Sequence, residues 1–114
     1  MKASQIDALT RTVIEKAGYG NRFIHSTGHG VGLDIHEFPN INSRSDVIIE
    51  DNMVFTIEPA LRVPEERIYI RLEDMIVITK NGADIISDHL PMEIDEIENI
   101  MKEKGLLDYH KKMD

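Results

Sequence analysis

The chain has 114 residues, with 13 Lys and Arg against 21 Asp and Glu and a formal net charge of -8. That length suits one domain burying roughly two thirds of its unfolded surface, and the acidic balance speaks against nucleic acid or an anionic membrane as partner, since both need clustered Lys and Arg. The absence of Cys removes disulfides, thiolate zinc sites and cysteine nucleophiles, and without an apolar signal core or a run of membrane-spanning length the expected location is the cytoplasm.

The first periodic segment predicts a helix over about 3–17. Ile6, Leu9, Val13, Ile14 and Ala17 share one stripe, Ser4 and Asp7 stand at capping-box spacing, and Gly18 and Gly20 end it. Residues 22–37 mix short apolar stretches with glycines and three histidines, which reads as strand, tight turn, strand. Pro39 to Asp51 reads as a polar connector. The Val, Ile, Phe and Tyr-rich stretch 53–79, broken once by Pro64-Glu65-Glu66-Arg67, predicts a β-hairpin, and Asn81-Gly82 marks the next turn. A second helix is expected over about 91–104, with Ile94, Ile97, Ile100 and Met101 on one face, acids first and Lys102 and Lys104 last, ending at Gly105. Residues 106–114 read equally as disordered or as a further packed turn. With no repeat, low-complexity tract or linker, 1–114 reads as a single α+β unit.

Parity fixes the register of the hairpin. With a turn at 64–67, Val63 faces Ile68, Leu61 faces Ile70, Pro59 faces Leu72 and Phe55 faces Ile76, an almost wholly apolar face. The opposite face carries Thr56, Glu58, Ala60 and Arg62 against Tyr69, Arg71, Glu73 and Met75, so Glu58 lies directly across from Glu73. Two ionised carboxylates paired in this way, with Cβ atoms about 4.5–5.5 Å apart, destabilise a sheet unless something positive lies between them. A metal ion, a shared proton or Arg71 would serve; two exposed acids on a solvated face are the bland alternative. Asp74 falls on the apolar parity opposite Ile57 and suggests a strand end, a bulge or a functional exception.

The densest chemical signal is Phe23-Ile24-His25-Ser26-Thr27-Gly28-His29-Gly30-Val31-Gly32-Leu33-Asp34-Ile35-His36-Glu37. Glycines on both sides of His29 remove Cβ bulk, which would let backbone and imidazole approach a ligand. They also make a helix improbable, so the segment is no zinc-protease helix, and the glycine spacing is wrong for a phosphate loop. Three histidines followed by paired glutamates favour an imidazole and carboxylate metal site, suited to Mn, Co, Fe or Zn.

The block from His25 to His36-Glu-x-Pro39, followed by Met53-Val-Phe-Thr-Ile-Glu58-Pro59 and Arg71-Leu-Glu73-Asp74, resembles the pita-bread metallopeptidases: methionine aminopeptidase, Xaa-Pro dipeptidase (prolidase) and aminopeptidase P. Leu33-Asp34 before the third histidine is similar to the prolidase and aminopeptidase P form. The resemblance covers roughly Ile6 to Ser87 and implies the C-terminal half of a pita-bread domain, an antiparallel curved sheet with flanking helices. It further implies that His29 and Glu58 bind one metal ion and Glu73 bridges two, so that a two-metal-activated water hydrolyses the N-terminal bond of a peptide or dipeptide. By the same resemblance Glu58 is catalytic, His25 and His36 stand near the substrate as catalytic and binding groups, and Arg71 is substrate-binding.

The family's site has five ligands, two of them aspartates upstream of the histidine block, and Asp7 and Glu15 do not sit in that motif. Three of five ligands are therefore expected in this chain, and inactivity alone, with the remainder supplied by an N-terminal half or a homodimer. The alternative is a non-catalytic module of this fold that binds a protein or peptide partner. Ala60 and Arg62 stand where the family has Gly and Tyr, and Met75 where it has Thr.

Overall fold

In the computed structural model, which describes residues 1–103, helix α1 spans Ala3–Lys16. Its entry is capped by the Gln5 side chain, whose Oε1 accepts the Lys2 N–H at 2.7 Å. The expected Ser4 and Asp7 box is not used, because Asp7 turns inward and is 0% exposed. The expected apolar stripe is also rotated: Ala3, Ile6 and Asp7 face the protein, while Leu9 and Val13 are 61% and 70% exposed. Gly18, at φ +87°, takes the chain out of the helix. Helix α2 spans Ile94–Lys102, shorter than the expected 91–104, with Asp95 and Glu96 in its first turn and Lys102 in its last. The expectations for Lys104, Gly105 and 106–114 lie outside the described residues.

Strands β1 (Gly28–Gly30), β2 (Glu37–Ile41), β3 (Val54–Ile57), β6 (Asp74–Thr79) and β7 (Gly82–Ile85) form one antiparallel sheet in the order β2-β1-β3-β6-β7. Strands β4 (Ala60–Val63) and β5 (Ile68–Arg71) pair by themselves as a two-stranded arm. The single hairpin expected over 53–79 is thus divided in two. Its register nonetheless runs on unchanged: Phe55 faces Ile76 and Ile57 faces Asp74 in the sheet, Leu61 faces Ile70 and Val63 faces Ile68 in the arm. The break falls where Pro59 lies across from Leu72, since proline has no N–H to give the ladder.

Ile68 and Ile70 are 38% and 54% exposed, so the expected apolar face of the arm is only partly covered. An Arg22–Glu65 ion pair tethers the tip of the arm to the segment after α1. Asp74 is a strand end, as its parity suggested, and its carboxylate accepts the Ser87 hydroxyl at 2.6 Å.

Ala3, Ile41 and Phe55 make the buried centre, with Ile6, Val47, Ile49, Met53, Ile57, Ile76 and Ile78 packed around them. Residues 39–51 are therefore not merely a polar connector. Pro39 and Ile41 belong to β2, and Val47 and Ile49 point inward because the stretch runs extended beside the start of α1, held by Ala3 N–H to Val47 O and Ile49 N–H to Met1 O, both 2.9 Å. Lys2 Nζ lies 2.9 Å from the Asp46 carboxylate and holds it below the usual carboxylate range. Ile41→Val removes one methylene from this centre and is expected to cost about 1 kcal/mol in denaturant unfolding; an unchanged midpoint would show that Ile41 is not closely packed. No helix among the described residues is long and apolar enough to cross a membrane.

Candidate metal centre

Strand β1 is three residues long, and His29 is its middle one. The flanking glycines serve its neighbours: a Cβ on Gly28 would overlap the Thr56 carbonyl, and one on Gly30 the Phe38 carbonyl. They let β3 and β2 close on either side of His29. This corrects the expectation that the missing side chains leave room for a ligand.

Glu58 follows β3 directly, with its N–H donated to the Thr27 carbonyl at 2.7 Å. Thr56, two residues earlier on the same face, accepts the His29 N–H at its hydroxyl (3.2 Å) and donates that hydroxyl to Glu58 Oε1 (2.9 Å). Arg71, ending β5, brings a guanidinium nitrogen to 3.4 Å from Glu58 Oε2.

The imidazole of His29 sits between two oxygens. Nδ1 is 2.9 Å from the Gly30 carbonyl, which only accepts, so Nδ1 carries the proton. Nε2 then stands 2.8 Å from Glu58 Oε1. Two lone pairs at that distance repel unless a proton or a metal ion is shared between them. A carbonyl holding one ring nitrogen so that the other can ligate is the arrangement of metal-binding histidines.

Glu73 completes the group: one donor atom each from His29, Glu58 and Glu73 lie within 4.8 Å of one another. The ladders on either side, ending at Ile57–Asp74 and beginning at Ala60–Arg71, keep one register, so Glu58 and Glu73 fall across from each other in the gap between them. Among the described residues Glu58 is paired with Arg71, whereas Glu73 has no ion-pair partner. A nitrogen and two carboxylates fit a divalent ion of borderline hardness.

All six residues singled out in the sequence converge here. A cavity of about 240 Å³ is lined by His25, His29, His36, Glu58 and Arg71, joined by Ser26 and Asn40. A second, of about 410 Å³, shares four of these and adds Glu73 with Val31, Ile35, Thr56 and Met75. The His29 and His36 rings stand 4.2 Å apart, tilted by 52°. Sequence reasoning missed Thr56 as a support for both His29 and Glu58; its place two residues before Glu58 on one strand face was the available signal.

The antiparallel α+β sheet that gathers an imidazole and two carboxylates beside an open cavity agrees with the C-terminal half of a pita-bread fold that the resemblance implied, and prolidase structures share it. Residues 1–80 match the model of Metallopeptidase family M24, and the chain belongs to that family. It is 46% identical over 83 residues to the Xaa-Pro dipeptidase of Pyrococcus furiosus, covering 73% of this chain and 24% of that protein. The Xaa-Pro dipeptidase from Bacillus anthracis superposes with a TM-score of 0.76 at 44% identity, and the X-Pro aminopeptidase from Thermotoga maritima with 0.76 at 38%, each over 82% of this chain and 26% of theirs. The chain thus spans about a quarter of the length of these relatives.

Proposed function

We infer that the chain supplies part of a two-metal exopeptidase centre of the Xaa-Pro dipeptidase or aminopeptidase P type, acting on the N-terminal bond of a peptide or dipeptide. The observation that carries this is His29 Nε2 held 2.8 Å from Glu58 Oε1 by a ring whose other nitrogen is occupied, with a Glu73 oxygen within 4.8 Å of both. His29 and Glu58 would hold one divalent ion, Mn, Co, Zn or Fe, and Glu73 would bridge to a second. Ions bound there would supply an activated water and polarise the scissile carbonyl.

The remaining tasks fall to this chain's side chains. The carboxylate of Glu58 or Glu73 is placed to take the proton from an attacking water. His25 and His36, both exposed on the cavity wall, can donate a hydrogen bond to the substrate oxygen that strengthens as negative charge develops on it. Arg71 offers a guanidinium to a substrate carboxylate. Three ligands leave the site short of the family's five, so turnover requires donors from a further polypeptide segment or a second copy.

Calorimetric titration with Mn(II) tests the reading. The chain is expected to bind at least tenfold tighter than its His29→Ala, Glu58→Ala double variant, because removing two ligands takes away most of the charge and geometry of the site. Equal affinities would overturn it. An assay with a Xaa-Pro dipeptide and added metal is expected to give no turnover by this chain alone, and turnover would refute the need for further donors.

A further inference from the structure

Asp7 and Arg11 lie on α1, outside the cavities, and the chemistry proposed above uses neither. Asp7 is fully buried, an expensive place for a carboxylate unless every lone pair is answered. Arg11 Nε meets its Oδ2 at 2.6 Å, and the Thr27 hydroxyl donates to its Oδ1 at 2.8 Å. The same guanidinium reaches two backbone carbonyls: Nη1 donates to Phe23 O at 3.0 Å and Nη2 to His25 O at 2.8 Å. It also stands over the Phe23 ring, 4.3 Å from its centroid.

One ion pair therefore holds residues 23, 25 and 27, every second residue of the segment that leads into β1. Residues 24–26 remain exposed, and His25 and Ser26 line the smaller cavity. Thr27 carries the restraint onward. Its hydroxyl is bound to Asp7, its N–H to Ile41 O at 2.9 Å, and its carbonyl receives the Glu58 N–H at 2.7 Å. A strut that merely pinned α1 to the sheet could be apolar, since buried ion pairs are often replaceable by packed hydrophobic residues. Apolar residues cannot hold the carbonyls of Phe23 and His25, and a lysine cannot hold both of them together with a carboxylate in one plane.

We propose that the Asp7–Arg11 pair is a positioning device for the candidate centre, setting the His25 backbone at the cavity wall and, through Thr27, the backbone of Glu58. The role rests on the reading of the centre given above, but the placement of Glu58 can be measured without metal.

Amide hydrogen exchange by NMR on the metal-free chain, with Mn(II) calorimetry beside it, tests the proposal on Arg11→Lys, Thr27→Val and Thr27→Ser. In Arg11→Lys and Thr27→Val the Glu58 amide is expected to exchange roughly tenfold faster relative to that of Ile78, which is bonded to Met53 O away from the network. Mn(II) affinity is expected to fall about tenfold, as when an outer partner of a ligand is removed. Thr27→Ser, which keeps the hydroxyl, restores both. Ile49→Val, which trims the core at a residue that bonds none of these groups, is the control for simple loss of stability. The proposal fails if the Glu58 amide moves no more than that of Ile78, or if Mn(II) affinity drops no further than in the control. Should the unaltered chain take up no Mn(II), the functional reading falls, and the exchange ratio alone decides the positioning role.

Discussion

Gly28→Ala is expected to destabilise the fold by about 3 kcal/mol, at the upper end of what overpacking costs. The added methyl would overlap the carbonyl of Thr56, a backbone group in the middle of β3 that has no rotamer into which to retreat. Relief must come from separating β1 from β3. That movement pulls on the Glu58 N–H to Thr27 O bond and on the Thr56 hydroxyl that joins the His29 amide to Glu58. Gly20→Ala is the comparison. There the added methyl meets the Glu15 side chain, which can swing away into solvent, and the expected cost stays below about 1 kcal/mol. Denaturant midpoints for the two variants check the argument: comparable losses would mean that strand approach is not what Gly28 provides.

Glu73→Gln is expected to act with opposite signs on the metal-free and metal-loaded chain. Without metal, Glu58 and Glu73 face each other across the register, and like charges so placed cost up to about 1 kcal/mol. Among the described residues Arg71 offsets Glu58 alone, so neutralising Glu73 should raise the melting temperature slightly. With Mn(II) at a hundredfold excess over its dissociation constant, the unaltered chain should gain about 2.7 kcal/mol, and the variant should lose most of that gain. Melting curves with and without Mn(II) give both numbers. A variant that keeps the full metal-induced shift would remove Glu73 from the ligand set.

The hairpin was the most legible part of the fold because a period of two leaves few choices: one four-residue turn determined every pairing from Phe55–Ile76 to Val63–Ile68. The two carboxylates of the candidate site were legible for the same reason, since the register shared by the ladders on either side brings Glu58 and Glu73 together. Asp7 was not, because helix periodicity tells which residues share a face but not which face is covered; here a carboxylate with the right partners went inside, while Leu9 and Val13 stayed out. Residues 39–51 were misread because burial of Ile41, Val47 and Ile49 depends on α1 lying across them, a contact between segments some forty residues apart in the chain. The glycines around His29 signalled close approach correctly, but whether the approaching group is a ligand or a neighbouring strand is a matter of tertiary structure.

The gap in the ladder at Pro59 and Leu72 has a mechanical consequence. Glu58 is tied by its own amide to Thr27, just before the strand that carries His29, and residues 58, 59, 72 and 73 all lie outside the strands. Both carboxylates therefore stand at the joint between the five-stranded sheet and the two-stranded arm, where no ladder hydrogen bond fixes their separation.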